Sequence, residues 1–328
     1  MTLRRRGQPR RAPQATAAAA GTLPGVDLAL LLLPDFVLIA CGFLICRYTA
    51  LDRPVWEATE RLVYYLLFPA LLFGAIVRNP LQPTSMAALS GSGLAVVGAG
   101  IVLAYALRAW PGVDARAHAA GAQTAFRFNS YVALALAERL GGAPAVAAIA
   151  VLVSVCVPLC NVAAVWPLAR HGGHGYLREL ARNPLILATV AGLAGNLMGL
   201  KLPEVVGTTL HRIGAAALPL GLMAVGAGLR VGALRDAPKL AAALLAIRHA
   251  VLPALALAIV AWAVDLPPLQ QLAVVVFAAL PTASSAYVLA ARLGGHASYV
   301  AGLVTLSTLL GMASIPLALS ALRWMQPL

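Results

Sequence analysis

The sequence predicts an all-α polytopic membrane protein, with ten transmembrane helices arranged as two inverted five-helix repeats. Three observations predict it: an overwhelmingly apolar composition, apolar runs of membrane-spanning length separated by short connections, and an internal repeat. Of 328 residues, 61% are hydrophobic and only 11% charged, about half the charged share of a soluble domain. Mean hydropathy is +0.86. A helix needs about 20 apolar residues to cross the roughly 30 Å hydrocarbon layer, so the chain has room for about ten crossings.

The runs fall at 27–46, 57–77, 87–108, 117–140, 145–168, 184–200, 205–229, 240–264, 268–292 and 298–322. Charge or Pro and Gly bound each of them, and no connection is long enough for a soluble domain. The implied organisation is a tail at 1–25, a first repeat at 26–168, a loop at 169–183, a second repeat at 184–322 and a tail at 323–328. The first tail carries Arg4, Arg5, Arg6, Arg10 and Arg11 before an Ala-rich run. This resembles a signal-peptide n-region, but the long apolar stretch that follows contains Pro34-Asp35 and reads as a first span. The tail itself is expected to be disordered.

The repeat is the most informative feature. Residues 134–142 read LALAERLGG and residues 287–295 read YVLAARLGG, identical at six of nine positions at an offset of 153. The same offset pairs Ala148 with Ala301, Val151 with Val304 and Ser154 with Ser307. Pro69, Gly74 and Arg78 in the second span have looser counterparts in Pro219, Gly226 and Arg230 in the seventh. Five spans per half is an odd number, so the second half is inverted relative to the first. That plan recurs in secondary transporters, whose substrate sits near mid-membrane between discontinuous helices at corresponding places in the two halves.

Two segments mark such breaks. The fourth span contains Phe126-Arg127-Phe128-Asn129-Ser130-Tyr131, and the ninth contains Leu280-Pro281-Thr282-Ala283-Ser284-Ser285; the offset places Asn129 opposite Thr282. A charge such as Arg127 at the centre of a span costs roughly 2.5–3.5 kcal/mol on insertion scales, so it faces protein, water or substrate. Pro281 lacks an N–H and clashes with the preceding turn. An unwound turn frees the N–H groups of the half-helix that follows, and these suit an anion. Asn129, Ser130, Thr282, Ser284 and Ser285 add neutral hydrogen-bonding groups beside Arg127 and Pro281. Together these seven residues form the candidate substrate site, although Ser and Thr also pack membrane helices closely. Asp35, Arg248 and His249 are further intramembrane ionisable groups and candidates for proton or ion coupling, with capping and structural pairing as the alternative. Asn161, Asn196, His211 and Arg212 complete the intramembrane polar set.

Other classes fit poorly. The formal charge of +13 is spread between apolar runs rather than gathered on one amphipathic face, which argues against nucleic acid. Cys156 and Cys160 share a helix face without further ligands nearby, and His171-Gly-Gly-His174 offers only two donors, so neither a metal nor any other cofactor is expected. HExxH, GxSxG and P-loop motifs are absent from the sequence, so an enzyme or an ATP-driven pump is not expected. A membrane sensor without transport would need a signalling domain for which the chain has no room.

The motif set as a whole resembles the auxin efflux carrier family in its bacterial branch, over roughly 28–322. The resemblance rests on Arg127-Phe128-Asn129-Ser130-Tyr131, on the run from Leu280 to Tyr287, on Asn183-Pro184-Leu185, and on Pro219-Leu220-Gly221-Leu222 with Gly226-Ala227-Gly228-Leu229. It implies that the broken fourth and ninth spans cross, as in sodium–proton antiporters and bile acid symporters. It further implies an elevator, with spans 1, 2, 6 and 7 as scaffold and spans 3–5 and 8–10 moving, and a homodimer. The family's crossover asparagine falls on Asn129 and its ninth-span proline on Pro281. Many relatives carry Gly and then Pro shortly after the asparagine. Here the chain reads Ala133-Leu134-Ala135-Leu136, a departure that predicts a gentler unwinding of the fourth span.

The functional expectation is a secondary transporter, an exporter, of a small organic anion such as a carboxylate; the alternative is a sodium-coupled symporter of the same fold. Nearly all the basic residues are arginine, Lys201 and Lys239 excepted, and Ala is abundant. That bias suggests a bacterial cytoplasmic membrane. Arg47, Arg53, Arg170, Arg178, Arg182, Arg230 and Arg235 all fall after odd-numbered spans, which places the 170–183 loop inside and the N-terminus outside.

Overall fold

In the computed structural model, residues 25–78, 83–165, 184–230, 234–283, 285–292 and 295–325 are described. The tail preceding Gly25, the 169–183 loop with His171 and His174, and Ser284 lie outside the described residues. The regular structure among the described residues is all helical, with no strand. Helices α1 (Gly25–Tyr48), α2 (Arg53–Arg78) and α3 (Pro83–Ala106) come first. Helix α4 comprises Ala115–Gly121 and Gln123–Phe126, joined through Ala122, and α5 is Ser130–Val165. Then follow α6 (Pro184–Leu197), α7 (Glu204–Ala227), α8 (Pro238–Ala263), α9 (Pro268–Ala279), α10 (Ser285–Arg292) and α11 (Ala297–Met325). Helix α11 runs past residue 322, where a tail was expected.

Among the described residues, six stretches are long and apolar enough to cross a membrane: Arg53–Arg78, Met86–Ala109, Ala115–Ala164, Glu204–Ala227, Pro238–Ala263 and Ala297–Met325. The third covers 50 residues, about 75 Å at 1.5 Å per residue and far more than one bilayer. The chain interrupts it twice. Residues 127–129 leave the helix, and Gly142 turns the chain at φ 61° inside α5, a conformation that glycine adopts without a steric penalty.

The two breaks fall at the repeat offset. Helix α4 begins at Ala115 and ends at Phe126, and α9 begins at Pro268 and ends at Ala279; each bound is shifted by the 153 residues read from the sequence. The non-helical residues are Arg127, Phe128 and Asn129 in one segment and Leu280 to Ala283 in the other. The interruption after α4 is complete, despite the missing Gly-Pro pair. Arg127 is extended at ψ 137°, and Asn129 starts the next helix with its own side chain instead of relying on proline.

Packing sorts the helices into two groups. Helix α1 lies along α7, and the second half of α2 lies against α6 and α7. The approach of α1 to α7 is at backbone range: a Cβ on Gly226 would lie 1.7 Å from the Ile39 carbonyl oxygen, and one on Gly42 would lie 1.9 Å from that of Met223. Small residues bring membrane helices together in this way, where the hydrophobic effect gives little drive. On the α2–α6 side, Asn196 Nδ2 donates to Ile76 O at 2.7 Å. In the other group, α3 and α9 pack on α5, α8 and α11 pack on α9, and α10 packs on α11. Helix α5 also touches α2 and α7, so the second half of one broken pair borders both groups.

Candidate functional site

The two breaks meet. Asn129 N donates to Pro281 O at 2.9 Å, which fastens one interruption to the other. Around this junction the four half-helix ends are treated unequally, and that inequality determines the electrostatics.

The C-terminal ends of α4 and α9 carry carbonyls with no partner in their own helix, and protein donors satisfy them. Thr282 Oγ1 donates to Thr124 O at 2.6 Å, and the Cys160 thiol approaches Phe126 O at 3.4 Å. Arg248 is 1% exposed. It donates from Nε to Leu280 O at 2.5 Å and from Nη2 to Phe277 O at 3.3 Å. A cation at the C-terminal end of a helix is favoured by the helix dipole, and a buried one is tolerated because its hydrogen bonds are made. Its neighbour His249 lies 2.8 Å from both Ser314 Oγ, through Nδ1, and Ser307 Oγ, through Nε2. Ser307 in turn accepts from Thr282 N at 2.9 Å. The ninth-span break is thus braced from behind by α8 and α11.

The N-terminal ends of α5 and α10 are arranged otherwise. Asn129 caps α5: its Oδ1 accepts from Tyr131 N at 3.0 Å and from Val132 N at 3.3 Å. Its Nδ2 is buried with no hydrogen-bond partner among the described residues, although Asn129 is only 3% exposed. A buried, unpaired amide donor is costly, so its position matters. Asn129 is one of the residues that line a cavity of about 320 Å³, with Arg127, Ser130, Ala283 and Ser285 from the two breaks. Helix α5 contributes Tyr131, Val157, Cys160 and Asn161, while Tyr64 of α2 and Leu185 of α6 close the far side. Across it Arg127 Nη2 donates to Ser285 Oγ at 3.1 Å. The cavity is therefore lined by a guanidinium, an asparagine, two serines and the positive ends of two half-helices, and none of the described residues that line it is a carboxylate. That set suits an anion.

Arg127, Asn129, Ser130 and Ser285 of the predicted site come together in this cavity. Pro281 and Thr282 lie behind it: Thr282 is fully buried and engaged by Thr124 and Ser307, and neither lines the space. Asp35 is elsewhere, on α1, with its Oδ2 3.0 Å from Arg139 Nε near the end of the first segment of α5. The sequence reading did not assign Tyr64, Cys160, Asn161 or Leu185 to the site. Tyr64 carried one usable signal only in the structure: it falls in a π-helical turn, Val63–Leu67, and such turns recur at functional sites. Arg248 and His249 lie in another, Ile247–Val251.

The fold is that of a polytopic helical membrane protein. Residues 171–319 match the family described as Membrane transport protein. Over 301 residues, 87% of this chain and 92% of the relative, the sequence is 27% identical to the "Putative malonate transporter" of Rhizobium meliloti (strain 1021). Both similarities are to membrane transport proteins, one over the second half of the chain and one over most of its length.

Proposed function

We propose that this protein is a secondary transporter that exports a small organic anion, of the carboxylate class, through the cavity at the crossed breaks. The observation that carries the reading is the Asn129 side chain. One end caps α5, while the other is a buried donor without a partner among the described residues, on a residue that lines a cationic cavity. A substrate carboxylate completes that amide's hydrogen bonding without an opposing full charge, so it can be held and released. Arg127, Ser130 and Ser285 share the anion. Pro281 and Thr282 act as positioning residues that fix the floor beneath it. The name of the Rhizobium relative supports a dicarboxylate as the first compound to test.

The same proposal covers the architecture. Ten crossings in two inverted halves, 26–168 and 184–322, are supported by the common offset of α4 and α9 and by the double interruption of the 50-residue stretch. Elevator movement of α3–α5 and α8–α11 against α1, α2, α6 and α7 is supported by the packing groups and by a cavity walled by both. The assembly is a homodimer in a bacterial inner membrane with a periplasmic N-terminus. The test is flux from proteoliposomes preloaded with labelled mono- and dicarboxylates, with and without a sodium gradient. Saturable carboxylate flux that Asn129→Ala abolishes supports the proposal, and sodium dependence would move it to a symporter. Flux of none of the acids by well-inserted protein would overturn it.

A further inference from the structure

A second cavity, of about 220 Å³, lies at one end of the α1–α2–α7 group, lined by Phe43, Cys46, Arg47, Arg53, Leu229 and Arg230 among others. It forms where the C-terminal ends of α1 and α7 meet the N-terminal end of α2, which is where helices leave the hydrocarbon. Three guanidinium groups gather there. Arg53 is balanced by the carboxylates of its own helix, with Nη1 2.9 Å from Glu60 Oε1 and Nε 3.3 Å from Glu57 Oε1. Arg230 donates from Nη1 to the Tyr287 hydroxyl at 2.9 Å, and its guanidinium lies 4.7 Å from the centre of that ring. No carboxylate among the described residues pairs with Arg47 or Arg230. Confined like charges repel unless an anion joins them.

Beside the cavity the surface is apolar. Leu44 and Leu51 are each 50% exposed and Tyr48 is 75% exposed. A cationic pocket at a helix end, with an apolar flank running toward the membrane interior, has the form of a phospholipid: headgroup at the arginines, acyl chains along the flank. Arginine pairs with phosphate oxygens bidentately, and juxtamembrane basic groups are attracted to anionic leaflets.

We propose that Arg47, Arg53 and Arg230 form a binding site for the phosphodiester headgroup of an anionic phospholipid, separate from the transport cavity. Because Arg230 also holds Tyr287 of α10 and, through its backbone, Thr305 of α11, the site touches the contact between the two helix groups.

The test uses the purified full chain in detergent, titrated with phosphatidylglycerol, phosphatidylcholine or inorganic phosphate and followed by thermal unfolding and by native mass spectrometry of bound lipid. Phosphatidylglycerol is expected to raise the melting temperature beyond phosphatidylcholine, with inorganic phosphate inert. Arg47→Gln should weaken phosphatidylglycerol binding about fivefold, the contribution of one basic group at a membrane surface. Its stability in phosphatidylcholine should equal that of the wild type, since Arg47 is exposed. Lys201→Gln, at the opposite end of α7, should leave lipid binding unchanged. Unaltered phosphatidylglycerol binding in Arg47→Gln would overturn the site. An equal shift with inorganic phosphate would show a free-anion site instead and overturn the lipid assignment.

Discussion

Asn129→Asp separates the two tasks given to this residue. An aspartate keeps the oxygen that accepts from Tyr131 N and Val132 N, and Asp and Asn are equal as N-caps. The fold should therefore survive with its melting temperature nearly unchanged. What changes is the other end of the side chain, where the unpartnered Nδ2 becomes an acceptor oxygen. Losing a hydrogen bond to a charged group costs about 1.5–3 kcal/mol, or roughly ten- to 150-fold at 1.4 kcal/mol per decade. Placing a carboxylate about 4 Å from a substrate carboxylate adds about 4 kcal/mol at an effective dielectric of 20, which pushes the result to the upper end or beyond. The assay is initial flux per folded, inserted transporter in proteoliposomes, normalised by fluorescence-detected chromatography. Flux in Asn129→Asp within twofold of wild type would refute the assignment of Nδ2 to the substrate.

Four further substitutions probe the frame around the site. Gly226→Ala places a methyl 1.7 Å from a backbone oxygen of α1, and relief to ordinary C···O range needs about 1.6 Å of separation. The expected loss is about 3 kcal/mol, at the top of the usual overpacking range. Gly98→Ala, with nothing within 4 Å, should be neutral or slightly stabilising; both are read by thermal unfolding. Arg248→Leu strands Leu280 O and Phe277 O at about 1–3 kcal/mol each, and should reduce the yield of folded protein. Thr282→Val removes the bond to Thr124 O and should cost about 1–3 kcal/mol of stability. Its substrate affinity should change less than that of Ser285→Ala, as measured by flux saturation.

The breaks were legible because they rest on local chemistry and on repetition. Pro281 cannot continue a helix, and the offset set the adjacent Thr282 opposite Asn129. The capping role of Asn129 was legible too, since asparagine ahead of an apolar helical run is an N-cap signal, but the sequence reading valued it only as a substrate ligand. Thr282 was grouped with the site because sequence gives the position of a side chain along the helix and not its direction; the structure turns it toward Thr124 and away from the cavity. Arg248 lies 32 residues before the carbonyl it caps. Nothing in a linear sequence connects a mid-span arginine to the end of the following helix, so it read as a coupling group. Tyr64 and Leu185 line the cavity only because α2 and α6 pack across from α5, a consequence of tertiary arrangement alone.

The central claim is that an organic anion occupies the cavity between the breaks. Its most direct test is an experimental structure of the full chain in nanodiscs with saturating malonate. A carboxylate within hydrogen-bonding distance of Asn129 Nδ2, flanked by Arg127 and Ser285, is the predicted result. Malonate bound instead beside Arg248 and His249, with the cavity at Asn129 empty, would contradict the account.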